Sequence, residues 1–167
     1  KGFARRALVD EVLGWVRNSA GCLASETVPV SELSGRILSH PVTSPIDVPS
    51  FDRSAMDGYA LVAASTDGAS LYNPLSFVIG GQSLPGHGFS GTVDEQTAVR
   101  IMTGAPIPDG ADAIVPFEET DEEGHRAPGQ EQSSSIESVG VLKAAGVGAN
   151  VRPRGEDVRT GQSILKA

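Results

Sequence analysis

Three stretches of this chain combine residue types that can do chemistry. The first is Pro49-Ser50-Phe51-Asp52-Arg53-Ser54-Ala55-Met56-Asp57-Gly58-Tyr59. It places two carboxylates, a guanidinium and a hydroxyl beside a glycine, just ahead of a strand-like run. A carboxylate at a loop–strand junction can ligate Mg²⁺, take a proton or orient water. Asp-Gly is also a common turn dipeptide, so a purely conformational role stands beside the chemical one. The second stretch is Arg100-Ile101-Met102-Thr103-Gly104-Ala105-Pro106-Ile107-Pro108. Backbone N–H groups exposed near a glycine can cradle an anionic oxygen, and the Thr103 hydroxyl adds a donor. A rigid strand-to-loop turn is the competing reading. The third is Asn150-Val151-Arg152-Pro153-Arg154-Gly155-Glu156-Asp157-Val158. Two arginines beside two acids can bind phosphate or form an internal ion-pair network; the network is the simpler reading. His40, His87 and His125 have no metal-ligand spacing with one another or with Cys22. There is no nucleophile elbow and no P-loop.

These stretches need elements to hold them. Leu8, Val12 and Val16 recur at helical spacing, with Val9 and Leu13 on the adjoining stripe, which predicts an amphipathic helix over 5–17. Trp15 is expected to pack on a face of that helix, and Gly21 to follow its end. A short helix is expected over 31–39, with Ser31 as N-cap and Leu33 and Ile37 on one side. Pro41, Pro45 and Pro49 forbid a continuous helix, so 41–50 should run extended. Strands are expected at 59–63, 76–80, 97–102 and 112–117, separated by Gly/Pro/Ser-rich breaks that include Gly80-Gly81-Gln82-Ser83 and Pro85-Gly86. Residues 121–135 are polar and aperiodic, and read as a solvated hairpin tip or mobile loop. A returning strand is expected within 136–143 and the start of another at 163–165.

The expected fold class is therefore α+β and mostly β. An elongated α+β module (1–50 and 140–167) would carry an inserted compact, β-barrel-like module (51–139). Bulk composition agrees. Hydrophobic residues make up 39% of the 167, too apolar for a disordered chain, and the 20 Gly and 11 Pro favour turns and short strands over a helical bundle. A net charge of −8 argues against nucleic-acid or anionic-membrane partners, which need clustered Lys and Arg. The single cysteine, Cys22, cannot form an internal disulfide, which fits a cytoplasmic setting. No stretch reaches the roughly 20 apolar residues that span a bilayer. The chain begins at Lys1 rather than Met, as a piece of a longer protein would.

Taken together and in order, these stretches resemble the N-terminal region of MoeA-type molybdopterin molybdenumtransferases, the family that includes the E domain of gephyrin. Leu33-Ser34-Gly35-Arg36-Ile37-Leu38, Ser54 to Ala60, Arg100 to Val115, and Arg154-Gly155-Glu156-Asp157-Val158 with Gly161 carry the likeness, which covers about residues 5–167. The resemblance implies an enzyme that moves molybdenum from molybdate onto adenylylated molybdopterin, with Mg²⁺ at the pyrophosphate. It implies catalytic roles for Asp57, Thr103 and Asp157, substrate binding by Ser54, Gly104 and Arg100, and Asp57 as the metal ligand. Arg53 stands where the family often has Asn. The resemblance also implies a homodimer, a molybdopterin adenylyltransferase as substrate donor, and later pterin-binding and C-terminal domains that this chain lacks. The chain alone would then be inactive. A gephyrin-like scaffold without catalysis is the alternative. The run Gly80-Gly81-Gln82-Ser83-Leu84-Pro85-Gly86 looks like the family's pterin loop but lies in the wrong region, and is expected to be a turn.

Overall fold

The structure is a computed structural model that describes residues 6–21, 23–122 and 138–167. The fold is mostly β with one α-helix among the described residues, as the composition suggested. Contacts divide it into two units: residues up to Pro41 with Lys166 and Ala167, and Val42–Leu165. That division falls at 41/42 and 165/166, away from the sequence-based boundaries near 50 and 140.

In the first unit, helix α1 spans Val9–Ser19. The Glu11 carboxylate accepts the Leu8 N–H at 3.0 Å, which closes the first turn. Asp10 and Glu11 in the first turn and Arg17 in the last suit the helix dipole. None of its residues is buried, and Trp15 is 69% exposed. The expected packing of Trp15 on a helix face is therefore not made by the described residues. The helix expected over 31–39 does not form either. Only one 3-10 turn appears, at Val30–Glu32, with Pro29 rather than Ser31 at its cap. The chain then reverses at Leu33–Arg36, where the Arg36 N–H reaches the Leu33 carbonyl at 3.1 Å. Gly35 supplies the φ of +78° that this turn needs.

The second unit holds nine strands among the described residues. They are β1 (Val42–Thr43), β2 (Arg53–Ser54), β3 (Gly58–Leu61), β4 (Leu75–Ser83), β5 (Thr97–Ile101), β6 (Ala113–Pro116), β7 (Ser138–Val141), β8 (Val151–Arg152) and β9 (Ser163–Leu165). Five of them form one sheet in the order β6-β3-β5-β4-β7, in which only β4 and β5 are parallel. Strand β3 lies between β6 and β5, and every one of its residues is buried. Successive side chains of a strand face opposite sides. Accordingly Tyr59 and Leu61 join Phe77, Val115 and Val139 on one face, and Ala60 joins Val99, Ile101 and Ile114 on the other. Each large apolar side chain buried this way contributes about 1.5–3 kcal/mol.

Gly80 to Ser83 are not a break. They continue β4, with a register shift against β5 between Ile79 and Gly81. Phe89 explains the glycine, since a Cβ on Gly81 would meet its ring at 2.6 Å. The turn comes later, at Leu84–His87, with Gly86 at φ +79°. The loop expected at 121–135 lies outside the described residues apart from Asp121 and Glu122.

Two short antiparallel pairs, β1 with β9 and β2 with β8, join residues 42–54 to 151–165. They bring the first and third chemical stretches together.

Candidate functional site

The 49–59 and 100–108 stretches meet along a ladder of backbone bonds. Ile107 N–H donates to the Asp52 carbonyl, Ser54 N–H to Ala105, and Gly104 N–H to Ser54, at 2.8–3.0 Å. Residues 102–105 form a tight turn closed by Ala105 N–H on the Met102 carbonyl, with Gly104 at φ +84°. A turn with glycine third suits that angle, and it sets Thr103 at the second position. From there the Thr103 N–H and hydroxyl both donate to Oδ1 of Asp57, each at 2.7 Å.

Asp57 and Thr103 are both exposed. The two donated hydrogen bonds favour the ionised carboxylate and hold its pKa below the ordinary 3.8, the backbone bond contributing most and slight burial opposing it. Among the described residues no hydrogen bond or ion pair engages Oδ2. The carboxylate is thus oriented through one oxygen and open through the other. A group of this acidity is a weak base. It suits cation ligation or electrostatic orientation better than proton abstraction.

The remaining sequence-derived candidates are engaged elsewhere. Ser54 is 1% exposed; its hydroxyl donates to the Met56 carbonyl at 2.5 Å and accepts the Met56 N–H at 3.3 Å. The Gly104 amide is committed to Ser54. Neither keeps a donor for an anionic substrate. Arg100 stands opposite Tyr59 on β5, 4.9 Å over the Phe117 ring and 3.3 Å from Glu122. The Tyr59 hydroxyl donates to the same Glu122 at 2.6 Å, and burial, then Glu122, pushes its pKa up. Arg100 therefore sits in a structural cluster. Asp157 lies 3.7 Å from the Arg53 guanidinium, and no hydrogen bond or ion pair joins it to Asp57 or Thr103.

The third stretch behaves as a network, partly within itself, where Arg152 pairs with Glu156 at 3.2 Å, and partly through partners that its own spacing does not reveal. Arg154 bonds Asp47 at 2.6 Å through its side chain and Asp52 at 2.7 Å through its N–H. Asp47 also accepts the Thr160 N–H and hydroxyl, so its pKa too lies below the ordinary value, with the Thr160 backbone bond the first cause. Sequence reasoning missed Asp47, Glu122 and Ser83. Asp47, flanked by Pro45 and Pro49 in an extended segment, offered the one readable signal: an acid held in fixed backbone.

Among the described residues no group of three or more His, Cys, Asp and Glu could hold a metal. A divalent cation at Asp57 would have one carboxylate from this region, which fits Mg²⁺ bound chiefly by substrate phosphates and water. An open groove of about 440 Å³ between Tyr72, Glu118 and Lys143 includes neither Asp57 nor Thr103. No helix among the described residues is long and apolar enough to cross a membrane.

Residues 7–167 match the family described as the MoeA N-terminal region, domains I and II. A "Molybdopterin molybdenumtransferase 2" of Mycobacterium tuberculosis is 40% identical over 139 residues, 83% of this chain and 31% of the relative. A "Molybdopterin molybdenumtransferase" of Staphylococcus aureus is 32% identical over 158 residues, 95% of this chain and 35% of the relative. Among solved structures, a molybdopterin biosynthesis MoeA protein from Pyrococcus horikoshii superposes with a TM-score of 0.75 at 30% identity, covering 97% of this chain and 38% of that one. The chain spans about a third of the length of these relatives.

Proposed function

The chain belongs to the family of the MoeA N-terminal region, domains I and II, and on that premise we propose that it works as the N-terminal part of a molybdenumtransferase in molybdenum cofactor assembly. The substrates are molybdate and adenylylated molybdopterin, and molybdenum passes to the dithiolene as the pyrophosphate is cleaved. The observation that carries this reading is the Asp57–Thr103 pair: an exposed, oriented carboxylate with its pKa lowered and, among the described residues, one oxygen unengaged, built from two family signatures 46 residues apart. A turn-stabilising aspartate would not need a second loop to hold it open.

In this reading Asp57 presents Oδ2 toward the pyrophosphate end of the substrate. Thr103 fixes Oδ1, so the free oxygen does not rotate away. Mg²⁺, when bound, neutralises charge on the phosphates, and Asp57 is the residue here that would hold it. Asp157 and Arg53 form a charged pair at the neighbouring β2 edge and are assigned a supporting part. The two-module layout, 1–50 with 140–167 and 51–139, stays part of the proposal: the β1–β9 pair joins the two ends of the first module, while the β2–β8 pair ties the first module to the second. A cytoplasmic homodimer, fed by a molybdopterin adenylyltransferase, completes the proposal.

The test is Asp57→Asn in the full-length protein. Cofactor formation from molybdate and adenylylated molybdopterin should fall on the order of 10²-fold or more, because the charge is lost and the shape kept. The melting temperature should change little, since Asn tolerates the same turn. Wild-type rates in the variant would remove Asp57 from the mechanism, whereas absence of cofactor formation by the unmutated full-length protein would favour the scaffold reading.

A further inference from the structure

Two buried hydroxyls grip the Thr103 turn without reaching the solvent side where Asp57 lies open. Ser83, at the end of β4, is 0% exposed. Its hydroxyl donates to the Pro106 carbonyl at 2.8 Å, and its own carbonyl accepts the Met102 N–H at 3.3 Å. It therefore holds both the entry and the exit of the turn at residues 102–106. Ser54 holds the other flank. Its backbone exchanges bonds with Gly104 and Ala105, while its hydroxyl bonds both the carbonyl and the N–H of Met56, the residue before Asp57. One serine thus fixes the turn that carries Thr103, and the other fixes that turn against the peptide that carries Asp57. Pro106 is confined further by Gly88, where a Cβ would meet the proline ring at 2.9 Å.

We propose that Ser83 and Ser54 are positioning residues, which set the placement of Asp57 against Thr103 through two buried hydroxyl clamps and do not touch substrate. The inference rests on the proposed role of Asp57. It also reassigns Ser54 from substrate binding to positioning. Ser83 belongs to none of the three chemical stretches, and its part follows from the β4 register alone. Both hydrogen bonds on Asp57 come from Thr103. A loosened turn lengthens both, and the carboxylate loses the donors that lower its pKa and aim it.

The experiment follows the carboxyl carbon of Asp57 by NMR across acid pH in the 167-residue chain, alongside kinetics of the full-length protein. Ser83→Ala and Ser54→Ala should each move the Asp57 titration up toward the ordinary carboxylate value. Ser83→Thr keeps the hydroxyl and should restore it. Thr66→Val is the control. It removes an equally buried hydroxyl, bonded to Ala63 and Ala145 and not to the turn, and should leave Asp57 unmoved. In the full-length protein kcat should fall by about tenfold with KM within about twofold, since a small misplacement of a reacting group costs rate more than binding. Should an alanine variant not fold, Ser83→Cys, close in volume and a weak donor, takes its place with the same expected shift. Folded serine variants with an unmoved Asp57 titration would overturn the proposal, as would a shift of equal size in Thr66→Val. Full activity in Asp57→Asn would sink the functional reading alone, because the titration reports the clamps independently of turnover.

Discussion

Thr103 offers Asp57 a backbone donor and a side-chain donor, and the two can be separated. Thr103→Val removes the hydroxyl, keeps the branched shape and leaves the N–H in place. The Asp57 pKa should then rise part of the way to 3.8 and no further, because the backbone bond is the larger cause. The sign of the stability effect follows from linkage. A depressed carboxylate pKa stabilises the fold above the unfolded-state value, and that stability is lost as pH falls through the folded-state value. Thr103→Val should therefore be less stable than wild type at neutral pH, by less than about 1 kcal/mol for so exposed a group. The two should converge when Asp57 is protonated. Urea unfolding at neutral pH and near pH ~2 reads this, and a deficit that persists unchanged in acid would show that the hydroxyl acts by packing.

The sheet depends on close backbone approach at β3, and α1 depends on propensity alone, so the same substitution should act oppositely in the two. A Cβ on Gly58 would meet the Val115 carbonyl oxygen at 2.1 Å and Pro116 Cα at 2.8 Å, both backbone atoms of β6 that cannot step aside. Gly58→Ala should cost roughly 2–4 kcal/mol in urea unfolding. Gly14 in α1 has nothing within 4 Å, so Gly14→Ala should stabilise the helix by about 0.5–1 kcal/mol, read by far-ultraviolet circular dichroism. Equal effects at the two positions would refute the close-approach argument. The same contrast explains what the sequence could reveal. Strands β3, β5 and β6 were legible because each is a β-branched or apolar run between Gly/Pro breaks. Strands β2 and β8 were not: two residues carry no period, and their pairing spans about 100 residues of chain. The 31–39 helix failed because Gly35 turns the chain before a second helical turn can form. Asp57 and Thr103 were legible by type and order, but their bond follows from the β3–β5 register, which pairs Gly58 with Ile101. For Gly104 and Ser54 the sequence shows donors and not the Ser54 and Met56 carbonyls that engage them here.

At the scale of the whole molecule, the site presents a charge and little to hold a substrate. Among the described residues the Asp57 carboxylate is exposed, the neighbouring Gly104 amide and Ser54 hydroxyl are occupied, and the groove beside Tyr72 does not include them. The net charge of −8 gives no general attraction for molybdate or a pyrophosphate. On the proposed function, the binding energy that orients the reacting atoms comes from surfaces other than those described around Asp57, and the chain spans about a third of the length of its relatives. The prediction is that the 167-residue chain, mixed with molybdate, adenylylated molybdopterin and Mg²⁺, yields no cofactor above the uncatalysed background, while the full-length protein does. Loss of positioning alone removes effective molarities on the order of 10⁵ M or more, enough to erase measurable turnover. Adding the chain to full-length Asp57→Asn protein sharpens the test. If each site of the proposed homodimer takes Asp57 from one chain and its substrate-binding surface from the other, the isolated region restores rate only by exchanging into the dimer, and restoration should scale with the fraction of mixed dimers seen by native mass spectrometry. Turnover by the chain alone would place substrate binding within these residues, and would overturn the division of labour argued from the occupied donors around Asp57.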